Sequence, residues 1–167
     1  MQFCPEEENR EAVAAAFEAH RDAILELLPG AQIEHVGATA VPGALTKGDL
    51  DLLVRVPRDE FEAAVTVLRE RYAVNQPQNW TAEFASFEQQ PAGEIPVGVQ
   101  LVIAGGSDDA LFLEWRERLR SDADLRGRFN AFKRRQSGAG PDEYIEAKAQ
   151  FIEAELGGEI GGDGERD

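Results

Sequence analysis

Asp49 and Asp51 stand two residues apart at the head of the run Leu50, Leu52, Leu53, Val54 and Val56. Residues two apart in a strand share a face. Leu50, Leu52, Val54 and Val56 can therefore enter a core while Asp49, Asp51 and Arg55 project from the opposite side. Two carboxylates held that close repel each other unless water screens them or a cation sits between them, and ligands that are all oxygen suit Mg²⁺ or Mn²⁺. An Asp-x-Asp strand thus points to a metal site, the plainer alternative being an exposed acidic face.

The elements that must position this pair follow from periodicity. From Pro5 to Leu28, apolar Val13, Phe17, Ile24, Leu27 and Leu28 recur at helical spacing until Pro29-Gly30 stops them. Gln32–Val36 and Leu50–Val56 read as strands, joined by a loop with Gly37, Pro42, Gly43 and Gly48 that is long for a hairpin. Long loops tend to be functional, and a short helix near Pro42 is also compatible. Asp59 and Glu62 fit a capping-box start to a second helix with the stripe Phe61, Val65 and Leu68, ending near Tyr72. Strands are expected at Ala82–Glu88 and Val97–Ile103. Helices follow near Asp108–Arg120, Ala123–Gln136 and Pro141–Leu156, with Pro141 suited to a first helical turn and Gly157 to a stop. Residues 1–156 are expected to form one α+β domain, and 157–167 a disordered acidic tail.

Composition narrows the function classes. A chain of 167 residues can bury one core. No apolar run approaches the ~20 residues needed to span a bilayer, and the start lacks the basic and apolar regions of a secretion signal, so a cytoplasmic protein without a membrane partner is expected. The single Cys4 has no partner for a disulfide or a Cys-x-x-Cys motif. The net charge of −15 argues against long nucleic acid, whose binding draws on clustered Lys and Arg. A small phosphorylated ligand remains compatible with a local basic patch. Arg116, Arg118, Arg120, Arg126, Arg128, Lys133, Arg134 and Arg135 fall close together, as such a patch or as a solvated helix surface.

The segment Glu34-His35-Val36-Gly37-Ala38-Thr39-Ala40-Val41-Pro42-Gly43, followed by Lys47 and Asp51, resembles the GrpB family, a branch of the nucleotidyltransferase superfamily. The resemblance continues through Phe112-Leu113-Glu114-Trp115-Arg116 and Phe132-Lys133 to Tyr144-Ile145-Glu146-Ala147-Lys148, covering most of residues 30–152. It implies a nucleotidyltransferase-like mixed β-sheet flanked by helices, with further helices at the C-terminus. It also implies a nucleoside triphosphate and an unknown acceptor as substrates. Asp49 and Asp51 would be catalytic residues and ligands of Mg²⁺ or Mn²⁺. Gly37 and Ala38 occupy the place of the superfamily's small-residue turn, where backbone N–H groups approach phosphate. Lys47 and Arg55 could add positive charge, and Tyr144 and Lys148, four apart on one helix face, could reach the phosphates or form a plain surface pair.

Three departures from the family pattern matter. Ala38 replaces a usual Ser, removing a hydroxyl. Lys47 is followed by Gly48-Asp49-Leu50 rather than Pro and two aliphatic residues, which restores a carboxylate pair. Gln100 stands at the matching position of a third acidic ligand and offers only a neutral oxygen. His35 is expected to fix the loop through a buried hydrogen bond rather than act as a base, and His20, Trp80 and Trp115 to be structural. Two functions follow: metal-dependent transfer of a nucleotidyl group to an unknown acceptor, or a nucleotidyltransferase-like module that binds a nucleotide or partner without turnover.

Overall fold

A computed structural model describes residues 2–160. Its centre is the apolar strand β4 (Leu50–Val56), buried on both faces, as the dense run of aliphatic residues requires. Antiparallel β2 (Gln32–Val36) lies on one side of it and parallel β7 (Val97–Ile103) on the other. Antiparallel β6 (Phe84–Gln89) and the two-residue β5 (Ala73–Val74) complete a mixed five-stranded sheet of order β2-β4-β7-β6-β5. One face is covered by α1 (Arg10–Leu27) and α2 (Phe61–Arg71). Val13, Ile24, Phe61, Ala64 and Leu68 there pack on Leu50, Leu52, Val54 and Val56.

The other face carries the odd residues of β4, and their surroundings differ step by step. Leu53 is fully buried with Val36 and Val102 beneath α3 (Ser107–Ser121), while Asp51 lies in the row formed by Val36, Asp51 and Gly98. Beyond α3, helices α4 (Ala123–Arg135) and α5 (Pro141–Ile160) build a second apolar cluster of Leu119, Leu125, Phe129, Phe132 and Tyr144. Asp122 caps α4 by accepting from the Asp124 and Leu125 amides at 2.9 Å, which satisfies two of the donors left open at a helix start.

Several expected boundaries move. The first helix starts at Arg10, not Pro5. Ahead of it, Cys4–Pro5 form β1, paired with β3 (Leu45–Thr46) inside the long loop, and Glu6–Glu8 form a 3₁₀ turn. The reason is tertiary: the Glu6 amide donates to the Ala44 carbonyl, and its buried carboxylate takes a two-pronged bond from Arg10 at 2.7 and 2.8 Å. The loop after β2 is accordingly ordered, with a 3₁₀ turn at Ala38–Ala40. Asp59 makes no capping bond to α2, because Arg58–Glu60 form a 3₁₀ turn that leads straight into it. Helix α5 runs past the expected stop at Gly157 to Ile160, and the remainder of the expected tail, 161–167, lies outside the described residues.

His35 fixes the loop as expected, through Thr39. The Thr39 hydroxyl donates to the Asp49 carbonyl at 3.0 Å and lies 2.9 Å from His35 Nε2. A hydroxyl has one hydrogen, so His35 must supply the Nε2 proton in that contact. The chain His35, Thr39, Asp49 thereby ties the end of β2 to the start of β4. Thr39→Val keeps the shape but strands both partners; it should destabilise the fold by about 1–3 kcal/mol, measured by urea denaturation.

Candidate functional site

Asp51 occupies a space that two glycines keep open. Gly37 has φ +75°, in the left-handed region that favours glycine, and a Cβ there would overlap the Asp51 carboxylate. A Cβ on Gly98, the neighbour across the strand pair, would lie 2.8 Å from Asp51 Oδ1. Gly37→Ala should therefore push the carboxylate aside and cost roughly 1–3 kcal/mol in stability, checked by thermal melting.

Around this pocket for one side chain, charges alternate. Burial, reinforced by the neighbouring Asp49, raises the Asp51 carboxyl to about 6, while Lys148 and Lys47 and a hydrogen bond from Gln100 pull the other way. Asp49 pairs with Lys47 at 3.3 Å, and the Lys47 ammonium lies 5.9 Å from the centre of the Tyr144 ring. The Tyr144 hydroxyl is held well above its ordinary value by burial, with Asp49 and Asp51 adding to the shift. Gln100 Oε1 is buried without a hydrogen-bond partner. Gln100 turns its amide N–H toward Asp51 and leaves that oxygen open, and with the two carboxylates it makes an all-oxygen donor set that fits Mg²⁺ or Mn²⁺. Among the described residues no group of three or more His, Cys, Asp or Glu could hold a metal ion. The aspartates that line the cavity are Asp49 and Asp51, and Glu153 of α5 lines it as well.

These groups open into one cavity of about 860 Å³. Gly37, Ala38, Lys47, Asp49, Asp51, Tyr144 and Lys148 all line it, so seven of the eight candidate positions converge from β4, its preceding loop and α5. Arg55 does not. It lies about 13 Å further along the strand at ~3.3 Å per residue, where its guanidinium grips Asp109 at 2.6 and 2.8 Å and Gln32 at 2.7 Å. Its charge is spent holding α3 to the sheet, and the expectation that it sits beside the carboxylates is corrected accordingly.

The basic run on α3 and α4 divides: Arg128, Arg134 and Arg135 are exposed, as a solvated helix surface would have them, whereas others are tied into the fold. Arg116 donates to Glu34 at 2.7 Å and to the His35 carbonyl at 3.0 Å, Arg120 to the Ala40 carbonyl, and Arg126 to the Leu119 carbonyl. Arg116 and Arg120 pin the site loop from behind. Together with burial they hold His35 down to about 4, hence neutral at physiological pH and outside the cavity lining.

Lys133 was a residue that charge counting placed in the wrong class. It is 2% exposed, donates to the Leu45 carbonyl, lies 4.3 Å from the Phe129 ring centre and lines the cavity. Burial, with Lys148 adding to it, lowers its amine to about 7. A signal for this exists in the sequence: Leu125, Phe129, Phe132 and Lys133 fall at i, i+4, i+7 and i+8, so the lysine stands on the apolar stripe of its helix.

The sheet order, its flanking helices and the carboxylate pair at the start of a central strand define a nucleotidyltransferase-like fold. The Cid1 poly(U) polymerase bound to MgGTP has a TM-score of 0.54 at 15% identity over 74% of this chain and 41% of that one. A second Cid1 structure, of the RNA terminal uridylyl transferase, gives 0.55 at 14% identity over 81% and 42%. The chain thus spans under half of these polymerases, and the likeness is one of fold. The conserved protein GrpB of Enterococcus faecalis has a TM-score of 0.64 at 19% identity, covering 87% of this chain and 95% of that one. A UPF0157 protein of Vibrio cholerae is 33% identical over 159 residues, 94% of this chain and 82% of that one. The profile described as GrpB protein matches residues 7–157, and the chain belongs to the GrpB family. No helix among the described residues is long and apolar enough to cross a membrane.

The Lys133 charge has a measurable cost. Its amine is near 7 when folded and 10.5 in its ordinary state, so below pH 7 both states are charged and the full burial penalty applies. Between pH 7 and about 10.5 the unfolded chain binds more protons, and stability rises with pH. Lys133→Met should be more stable than wild type by about 2–4 kcal/mol at pH 6, with the gap closing toward pH 10 in denaturant titrations.

Proposed function

We propose that the cavity binds a nucleoside triphosphate with Mg²⁺ or Mn²⁺ and transfers its nucleotidyl group to an acceptor. The observation that carries this is the enclosed Asp51 carboxylate, kept beside Asp49 at a glycine corner although burial and like charge both oppose its ionisation. Such a cost is relieved by a divalent cation more readily than by any other partner. The site loop and the lysines suit the phosphates: the Gly37–Ala38 backbone offers close approach, and Lys47, Lys133 and Lys148 stand around the carboxylates.

In this reading Asp49 and Asp51 would hold the cation, with the Gln100 amide, turned to present its oxygen, as a neutral third donor. When bound, the ion neutralises phosphate charge and stabilises attacking and leaving oxygens. Lys47 is the exposed member: its side chain is 43% exposed and its ion pair to Asp49, at 3.3 Å, faces the cavity, so it is placed to exchange the carboxylate for an arriving phosphate. Lys133, held by a carbonyl, supplies charge from a fixed position. A cytoplasmic location fits, since triphosphates and Mg²⁺ are available there. The Cid1 polymerase solved with MgGTP supports the reading at the level of fold.

One observation favours a second reading. Two acidic ligands and a neutral amide make a weaker ion site than three carboxylates, which suits a module that binds a nucleotide without turnover. Incubating the protein with Mn²⁺ and each α-labelled triphosphate, with a cell extract as acceptor source, separates the two. The transferase predicts labelled product that falls at least 100-fold in Asp51→Asn; the module predicts Mn²⁺-dependent retention of triphosphate without product. Mn²⁺ binding by electron paramagnetic resonance that is equal in wild type, Asp49→Asn and Asp51→Asn would reject both.

A further inference from the structure

The cavity extends well beyond what an ion and phosphates occupy. Its remote wall is made by Trp115 and Leu119 of α3, Phe129 of α4, and Ile152 and Leu156 of α5. Leu119, Phe129 and Leu156 are buried, and Ile152 and Trp115 half-buried. Among these five side chains the Trp115 indole N–H is the one polar group. Arg116 and Glu153 also line the cavity, but the wall between the helices is mostly carbon, and a nucleobase pressed against it would leave much of its ring amide and amine edge without a partner, which apolar sites penalise. A hydrocarbon body meets a matching wall.

At the near end three lysines, Lys47, Lys133 and Lys148, outnumber the two carboxylates Asp49 and Asp51. Lys133 has three N–H donors and one oxygen acceptor, the Leu45 carbonyl, and its ammonium also lies over the Phe129 ring. Lys148, half-buried on α5, also faces the cavity. No carboxylate among the described residues lies within ion-pair distance of either lysine. A buried ammonium short of acceptors, with a second unpaired lysine beside it, calls for an anion.

We infer that the cavity takes an amphiphile, with a phosphate head at Lys133 and Lys148 and an apolar body between α3, α4 and α5, and that this molecule is the acceptor, an oxygen of its phosphate head bonding to the α-phosphorus of the triphosphate as the bond to the β-phosphate breaks and pyrophosphate leaves. Its role as acceptor rests on the nucleotidyl-transfer reading; its binding does not. The two demands are met by one ligand because the lysines and the apolar wall line the same continuous space.

Binding of octyl phosphate and inorganic phosphate in EDTA, and of ATP with Mn²⁺, followed by Trp115 fluorescence below the micelle concentration, tests this. Octyl phosphate should bind at least tenfold more tightly than inorganic phosphate. Ile152→Gln should remove that gain and leave inorganic phosphate unchanged, and Lys133→Met should weaken octyl phosphate at least tenfold, with thermal melting confirming that both variants fold. Equal binding of octyl and inorganic phosphate by the wild type overturns the inference. So does an ATP affinity that falls in Ile152→Gln as far as that of octyl phosphate, since the chamber would then hold the base. Asp51→Asn with unaltered Mn²⁺-dependent triphosphate binding would overturn the nucleotide reading alone, leaving amphiphile binding intact.

Discussion

The enclosure of the Asp51 carboxylate is the constraint around which the rest of this structure is arranged. Ionised carboxylates are costly away from water, and a second one nearby adds to the cost. Here the fold makes room for the group instead of neutralising it: Gly37 and Gly98 each give up the Cβ that would displace it. Gln100 donates one hydrogen bond and keeps its own oxygen unpaired. Stability is spent at three positions around one carboxylate, which is the cost the proposed site would account for.

Support for that corner comes from behind. The His35–Thr39–Asp49 chain fastens the loop to β4, the guanidiniums of Arg116 and Arg120 take the His35 and Ala40 carbonyls, and Glu6 with β1 closes the loop from the N-terminal side. The two arginine contacts join segments 80 or more residues apart. They explain how a stretch with three glycines and a proline holds a single shape, and they account for the basic residues of α3, whose charge is used internally.

Both faces of the sheet have distinct tasks. The face under α1 and α2 is a uniform apolar core, and it supplies the rigidity on which β4 depends. Along the opposite face, polarity changes within one strand from Asp51 through buried Leu53 to Arg55, and each residue finds a partner suited to it: the cavity, the apolar contacts of α3, and Asp109. The cavity then inherits a polar end from the sheet and an apolar end from the helices, which is why it differs in character across its length.

What the sequence determined was local and periodic. The strand pattern from Leu50 to Val56 placed Asp49 and Asp51 together on the face away from the aliphatic core; β7 is bounded as its apolar run indicates; the motif from Glu34 to Gly43 identified the family. Arg55 shares the pattern with Asp51, and alternation alone could not tell that four further residues carry it beyond the site. Tertiary structure decided everything that depends on distant partners: the β1–β3 pairing, the 3₁₀ turns that displaced the expected helix starts, and the burial of Lys133. Side-chain periodicity reports which face a residue is on, while the dielectric and the partners on that face are set by elements that arrive from elsewhere in the chain.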